Sequence, residues 1–220
     1  MSNQRTPRLQ RTADAQQAKH QGVRMTSRQC EIAGESYAAC LLAQAGYDVL
    51  VQYGANQPHY DLVAVKRERF LPISVKSSQD GGWMLAVNHL KEGVGYHQAI
   101  DAWLSSQRSD VVFVFVQFLG VALGTAPRAY MARPREIAAH LKTQCAGRGH
   151  GALQEDYRRD RPRSKYDHRI PPEWVFTSER VDNIESEPLN KVGQEVLPSA
   201  AREGTHQAGR ESYPGQQGAR

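Results

Sequence analysis

The chain has 220 residues, of which 40% are hydrophobic and 23% charged, and its formal net charge is +5. This length allows one domain with a sizeable core, and the composition is that of a globular protein with polar ends. The best apolar run, residues 111–119, is about half as long as a membrane-spanning helix requires. Three cysteines, Cys30, Cys40 and Cys145, cannot form a closed disulfide framework and indicate thiols in a reducing compartment. Because the first residues also lack the apolar stretch of a secretory signal, we expect a cytoplasmic protein with no membrane partner.

Positive charge is concentrated before Gln29, where six basic residues accompany a single acid, Asp14. We expect a basic disordered arm over residues 1–25, a folded domain over 26–184, and a disordered tail over 185–220, where hydrophobic periodicity is lost. A basic arm can attract a polyanion or can simply keep the protein in solution, and both interpretations stay open.

The first predicted helix, residues 27–45, carries an acid on its apolar side. Ile32, Ala39 and Leu42 recur at helical spacing, and Glu35 falls within the same stripe. A buried carboxylate costs several kcal/mol unless a cation or a metal ion neutralises it. We therefore expect Glu35 to lie beside a positive charge.

Two neighbouring predicted strands, residues 60–66 and 70–76, form a hairpin and carry one notable charge each. Asp61 lies at the start of the first strand, and Lys76 ends the second. Both residue types are depleted in strands, because a half-buried sheet surface penalises desolvated charge. Either these charges are solvated at a sheet edge, or they form a site together with Glu35.

The other predicted elements complete an α/β core. In chain order they are a strand over 49–53, a strand over 83–87 that continues the sheet, a helix over 96–105, a strand over 110–119, a helix from Arg133 to about Lys142, and a short strand over 174–176. The helix between the hairpin and the strongest strand indicates a crossover connection, so the sheet should be mixed.

Four short motifs follow one another in the order of a known enzyme superfamily. They are Gly34-Glu35, then Leu41-Leu42 with Ala45-Gly46-Tyr47-Asp48-Val49, then Tyr60-Asp61-Leu62-Val63, and then Ile73-Ser74-Val75-Lys76-Ser77. Together they resemble the PD-(D/E)XK nuclease superfamily, and within it the branch of archaeal Holliday-junction resolvases, Mrr-type restriction enzymes and group I intron endonucleases. The resemblance runs from about residue 25 to 120, with a weaker continuation to about 184. It implies an α/β, restriction-endonuclease-like core in which helices flank a central mixed β-sheet.

The resemblance also implies a catalytic site of Glu35, Asp61, Ser74 and Lys76. The superfamily normally carries Glu, Asp or Gln where this chain has Ser74, and a hydroxyl is a poorer Mg²⁺ ligand than a carboxylate. Two possibilities follow. Either Asp61 and Glu35 hold Mg²⁺, or Mn²⁺ in its place, together with the backbone carbonyl of Val75 and water, or the site has decayed into a binding module.

Polar and basic residues near these motifs are candidates for contacts with nucleic acid. Ser77 or Ser78 would bind a phosphate oxygen, and Arg24 and Arg28 would meet the nucleic-acid backbone. Gln98 either lies near the scissile phosphate, as in some related nucleases, or faces water on its helix.

The leading hypothesis is therefore a Mg²⁺-dependent endonuclease that hydrolyses phosphodiester bonds, with DNA as the expected substrate. One alternative is a catalytically inactive nuclease-fold protein that binds DNA or a protein partner. Another is an α/β interaction protein whose charges match the motifs by chance. RNA as the substrate, sequence preference and a homodimeric state stay open.

Overall fold

The structure is a computed structural model and describes residues 24–51, 60–155 and 169–186. Its helices are α1 (Ser27–Gln44), α2 (Tyr96–Ser105), α3 (Pro134–Gly147) and α4 (Ser178–Ser186). Its strands are β1 (Asp48–Val51), β2 (Leu62–Lys66), β3 (Arg69–Ser78), β4 (Gly82–Met84), β5 (Val112–Gln117), β6 (Arg128–Ala132) and β7 (Ala152–Gln154). Short 3-10 helices lie at Val87–His89 and Pro172–Trp174. The predicted arm and tail lie outside the described residues, except for residues 24–25 and 185–186.

A mixed sheet of five strands forms the centre of the fold, in the order β1-β2-β3-β5-β6. Neighbours are antiparallel except β3 and β5, which run parallel and are connected through α2. Parallel neighbours need a long crossover, and the helix between them supplies it. The predicted α/β class with a mixed, helix-flanked sheet is thus confirmed.

The predictions for two strands were wrong. Residues 83–87 do not continue the main sheet, because β4 pairs with β7 in a separate two-stranded sheet. The chain leaves the main sheet at Gly81, whose φ of +91° strongly favours a residue without a side chain. Residues 174–176 contribute only a single bridge, between Val175 and Tyr130, and the preceding residues form a 3-10 helix.

Helices cover both faces of the sheet, and β5 shows how the core divides between them. Val112, Val114 and Val116 pack on the face that α1 and α4 cover, whereas Phe113 and Phe115 pack against α2 and α3. Because alternate residues of a strand point to opposite faces, this uninterrupted apolar run indicates a strand that is buried on both sides.

The buried stripe of α1 differs from the predicted one. Cys30, Gly34, Ala38 and Leu42 are buried, whereas Ile32 is 49% exposed. The prediction that Ile32 packs in the core was therefore wrong. Small residues form most of the true stripe, and they allow the helix axis to approach the sheet closely.

The closest contact of α1 is between Gly34 and Ser77 of β3. A Cβ atom on Gly34 would lie 1.7 Å from the Ser77 Oγ and 2.8 Å from the Ser77 Cβ. Such distances are far inside van der Waals contact, so this crossing requires a glycine. The next residue of the helix, Glu35, is thereby held beside β3.

The helix α4 was not predicted from the sequence, and a buried arginine attaches it to β6 and α3. Arg180 is 6% exposed and donates to the Met131 carbonyl oxygen at 2.9 Å. Its Nη2 also donates to both carboxylate oxygens of Glu136, at 2.8 and 2.6 Å. These charge-assisted hydrogen bonds connect α4 to β6 and to the first turn of α3.

Replacing Gly34 by alanine should destabilise the fold. Alanine favours a helix by about 1 kcal/mol over glycine, but overpacking of this kind costs about 1–3 kcal/mol. Since the overlap with Ser77 is severe, we expect a net loss of about 2 kcal/mol in the free energy of unfolding, measured in urea.

The second substitution Ser77→Gly removes the clashing atoms, so the double variant should recover most of that loss. Ser77→Gly alone is the matched control, because it changes β3 without adding a Cβ at Gly34. A Gly34→Ala variant as stable as the wild type would show that this contact does not set the helix position.

Candidate active site

A cleft of about 910 Å³ lies where α1 crosses the end of the hairpin. Its central side chains come from three places in the fold. Glu35 lies on α1, Asp61 directly precedes β2, and Lys76 lies on β3. The pairing of β2 with β3 ends at Leu62 and Ile73, although β3 continues to Ser78. The cleft therefore opens beside a stretch of β3 that β2 does not cover.

Asp61 takes the place of a strand partner along this open edge. Its backbone N–H donates to the Ile73 carbonyl at 2.8 Å, and its side chain accepts from the Val75 N–H at 2.6 Å. The Ser74 hydroxyl donates to the same oxygen, Oδ2, at 3.4 Å. Within the described residues, Oδ1 accepts no hydrogen bond and remains available to a ligand.

The backbone of Val75 is directed toward the same edge. In a strand, the N–H and C=O of one residue point to the same side. Because the Val75 N–H meets Asp61, its carbonyl oxygen also faces that side, and Val75 lines the cleft. This is the edge where the sequence analysis expects a backbone metal ligand.

Glu35 is half-buried and lies within electrostatic reach of Asp61. Burial raises the pKa of the Glu35 carboxyl, and the negative charge of Asp61 raises it further. Arg28 and Lys76 lower this pKa, but their effects are smaller than that of burial. The expected positive charge near Glu35 is present, yet the carboxylate still carries a net electrostatic cost.

Lys76 is exposed, and its ammonium group makes no hydrogen bond or ion pair with the described residues. Its backbone is held more firmly, because the Trp83 indole N–H donates to the Lys76 carbonyl at 2.8 Å. Trp83 is 4% exposed and packs edge-on against Phe115. This positioning role of Trp83 was not predicted, although a buried tryptophan usually requires an acceptor for its N–H.

Ser74 does not line the cleft. It is buried, donates to Asp61, and borders a smaller cavity on the other side of Lys76. Within the described residues, no three His, Cys, Asp or Glu side chains form a group suited to a metal ion. A metal at this site would therefore depend on two carboxylates and on backbone or water oxygens.

The candidate nucleic-acid residues divide into two sets. Arg24, Arg28, Ser77 and Ser78 line the cleft. Gln98 does not line it, and its side-chain oxygen accepts the Gly95 N–H at 3.2 Å at the start of α2.

A side-chain contact that the sequence analysis did not anticipate connects the start of α1 to the end of β3. Gln79 accepts the Met25 N–H at 3.0 Å and donates to the Met25 carbonyl at 2.6 Å. This pair of hydrogen bonds keeps Arg24 at the rim of the cleft. No local pattern predicts it, because the two residues are 54 positions apart.

Charges of both signs surround the cleft. Among the described residues that line it, the cations are Arg24, Arg28 and Lys76, and the carboxylates are Glu31, Glu35, Asp61 and Asp80. Arg24 and Arg28 form the exposed rim, whereas Glu35, Asp61 and Lys76 lie at the centre, where two carboxylates outnumber one ammonium group. Such a centre repels a phosphate until a cation neutralises it.

Comparisons with family models, with curated proteins and with solved structures gave no significant match for this chain. No helix among the described residues has the length and apolarity to cross a membrane. We therefore infer a function from the sequence motifs and the geometry of the cleft.

Glu35→Gln should stabilise the protein at neutral pH. A carboxyl whose pKa is raised by folding destabilises the folded state once it ionises, so this cost appears as the pH rises through the folded pKa. We expect a gain below about 1 kcal/mol, since half-exposed charges are screened. Urea unfolding at pH 7 and at pH 4 measures it, and the gain should shrink at the lower pH.

Glu31→Gln is the matched control. Glu31 lies one turn earlier on α1 and forms an exposed ion pair with Arg28. Its loss should leave stability unchanged or slightly reduced. Equal effects of the two substitutions would contradict the electrostatic cost assigned to Glu35.

Proposed function

We propose that this protein is a metal-dependent endonuclease of the PD-(D/E)XK type, with a restriction-endonuclease-like core and DNA as its substrate. The observation that supports it is the meeting of Glu35, Asp61 and Lys76, from three separate elements, in one cleft. Of these, Asp61 and Lys76 belong to the motifs that resemble the superfamily's catalytic strands. Their meeting in one cleft supports a shared site over a chance match of motifs along the sequence.

The donor atoms in the cleft fit a hard divalent cation. The Asp61 Oδ1, the Glu35 carboxylate and the Val75 carbonyl are all oxygen donors, the type that Mg²⁺ and Mn²⁺ prefer. The raised pKa of Glu35 also means that a cation beside Asp61 would relieve an existing repulsion. When bound, Mg²⁺ would polarise the phosphate and lower the pKa of a bound water.

The protein's own side chains have distinct tasks in this proposal. The Lys76 ammonium, which has no partner among the described residues, orients the attacking water and offsets the charge that develops on the phosphate. Arg24 and Arg28 at the rim hold the flanking nucleic-acid backbone. Asp61 keeps its orientation through the hydrogen bond from the Val75 N–H.

A catalytically silent protein that binds DNA or a protein partner is the second candidate. Ser74 favours it, because its hydroxyl is directed to Asp61 and does not replace the superfamily's third metal ligand. In that case the cleft would still accept nucleic acid through its basic rim.

Purified protein should cleave supercoiled, branched or single-stranded DNA in Mg²⁺ or Mn²⁺ and not in EDTA. We expect Asp61→Asn and Lys76→Ala to lower the cleavage rate at least about 100-fold, as removal of a group that stabilises the transition state does in other enzymes. Asp101→Asn and Lys91→Ala, at exposed positions outside the cleft, should cleave as the wild type does.

Ser74→Glu distinguishes the two candidates. Position 74 adjoins Asp61, which lines both spaces, so the new carboxylate would lie beside the metal ligand and should lower the Mg²⁺ concentration needed for cleavage. If the wild type cleaves no DNA and the Ser74→Glu variant does, the result supports the second candidate, a catalytically inactive binding protein. Wild-type cleavage that survives Asp61→Asn would refute the site.

The rim arginines should contribute to the salt dependence of DNA binding. Removing one arginine from a B-DNA phosphate lowers the slope of log affinity against log salt by about 0.9, so Arg24→Ala with Arg28→Ala should lower it by about 1.8. Fluorescence anisotropy in Ca²⁺ at several salt concentrations measures the slope. Arg135→Ala, an exposed arginine on α3, is the control and should leave it unchanged.

A further inference from the structure

A second cavity, of about 400 Å³, adjoins the cleft. Asp61 and Lys76 line both spaces, and so do Met84 and Leu85. A group bound at Asp61 and Lys76 can therefore extend into either one. The volume lies within the range of about 300–1,000 Å³ that is usual for small-ligand sites.

The deep wall of this cavity is aromatic. Trp103 and Phe113 are 5% and 2% exposed and form part of the core, with their rings 5.7 Å apart. Tyr60 is half-buried, and the Arg108 guanidinium lies 5.8 Å from the centre of its ring. Of these rings, Tyr60 is the one with surface left for a flat group to stack on, and the two core rings form the apolar floor.

The outer wall offers hydrogen-bonding groups that the protein does not use. Asn88 and His89 project from the 3-10 helix, and their side chains make no hydrogen bond within the described residues. Gln107 donates through its amide nitrogen to the Trp103 carbonyl and the Ser106 hydroxyl, which leaves its side-chain oxygen as an acceptor. Amide and imidazole groups of this kind pair with the edges of nucleobases.

The charge of the cavity argues against a phosphate or a peptide carboxylate as its occupant. Apart from Asp61 and Lys76, no Asp, Glu, Lys or Arg in the described part of the chain lines it. A neutral, flat group with polar edges suits these walls better than an anion does.

We propose that this cavity receives an unpaired nucleobase whose own phosphodiester lies at Asp61 and Lys76. The inference rests on the proposed nuclease function and names the substrate class of that site. A base stacked in a continuous duplex cannot enter, because its faces and its pairing edge are occupied. The preferred substrate is therefore a strand with an unpaired nucleotide next to the scissile bond, as in a bulge, a branch point or a single-stranded segment.

Binding in Ca²⁺, where no cleavage is required, tests the cavity separately from the chemistry. The probe is a DNA duplex with one unpaired 2-aminopurine, compared by anisotropy with the fully paired duplex and with the same bulge carrying an abasic site. We expect the bulged duplex to bind at least about tenfold more tightly than the other two, and the 2-aminopurine emission to change on binding.

Asn88→Ala with His89→Ala should remove that preference while leaving affinity for the paired duplex unchanged. Neither residue is buried, so the fold should tolerate both changes, and thermal unfolding checks this. Asn183→Ala is the matched control, because Asn183 is exposed on α4, outside the cavity, and should keep the preference.

The outcomes separate the two proposals. Equal binding of bulged, abasic and paired duplexes by a protein that cleaves DNA would overturn the base cavity and leave the nuclease intact. A preference for the unpaired base that depends on Asn88 and His89, in a protein that cleaves nothing, would support the cavity and reject the nuclease. A preference that survives the double substitution would also overturn the cavity, and absence of DNA binding would overturn both proposals.

Discussion

The close approach of α1 to β3 at Gly34 and Ser77 is the constraint on which the cleft depends. A Cβ at Gly34 would overlap Ser77, so this close approach of the helix to the strand depends on glycine. That crossing brings Glu35 beside Asp61 and Lys76, although the acid would be more stable elsewhere. The same helix thus packs Gly34 tightly against β3 and holds the Glu35 carboxylate where its charge is unfavourable. Packing alone does not explain why an acid occupies that position.

The second determinant is the late start of β2. β2 begins only at Leu62, so it leaves the end of β3 beyond Ile73 unpaired on this edge, and the Asp61 side chain satisfies the Val75 N–H there. The same interruption creates the cleft, the available carboxylate oxygen and the entrance to the second cavity. A full-length β2 would pair with this edge of β3 and remove the site.

Local patterns in the sequence predicted the α/β class and most strands of the mixed sheet, but they did not predict β6, which forms one edge of it. An antiparallel hairpin brings the start of its first strand close to the end of its second, so Asp61 was expected near Lys76. The sequence could not show that the Ser74 hydroxyl would bond to Asp61. The contact between Gln79 and Met25 and the attachment of α4 by Arg180 were equally inaccessible, because both join distant parts of the chain. Ile32 was misassigned, since glycine and alanine rather than larger apolar residues form the face of α1 that packs on the sheet.

The hydrogen bond from Val75 to Asp61 has an evolutionary consequence. A lineage that lost activity would still be selected to keep Asp61, because without it a backbone N–H would lose its partner and the fold would be destabilised by about 1–3 kcal/mol. Glu35 and Lys76 do not stabilise the fold in this way. The Glu35 carboxylate carries an electrostatic cost, and the Lys76 ammonium has no partner among the described residues. Without selection for catalysis, random substitution would therefore replace Glu35 and Lys76 before Asp61. Under the proposed function, their joint presence in this chain is therefore a better indication of a working site than the presence of the aspartate.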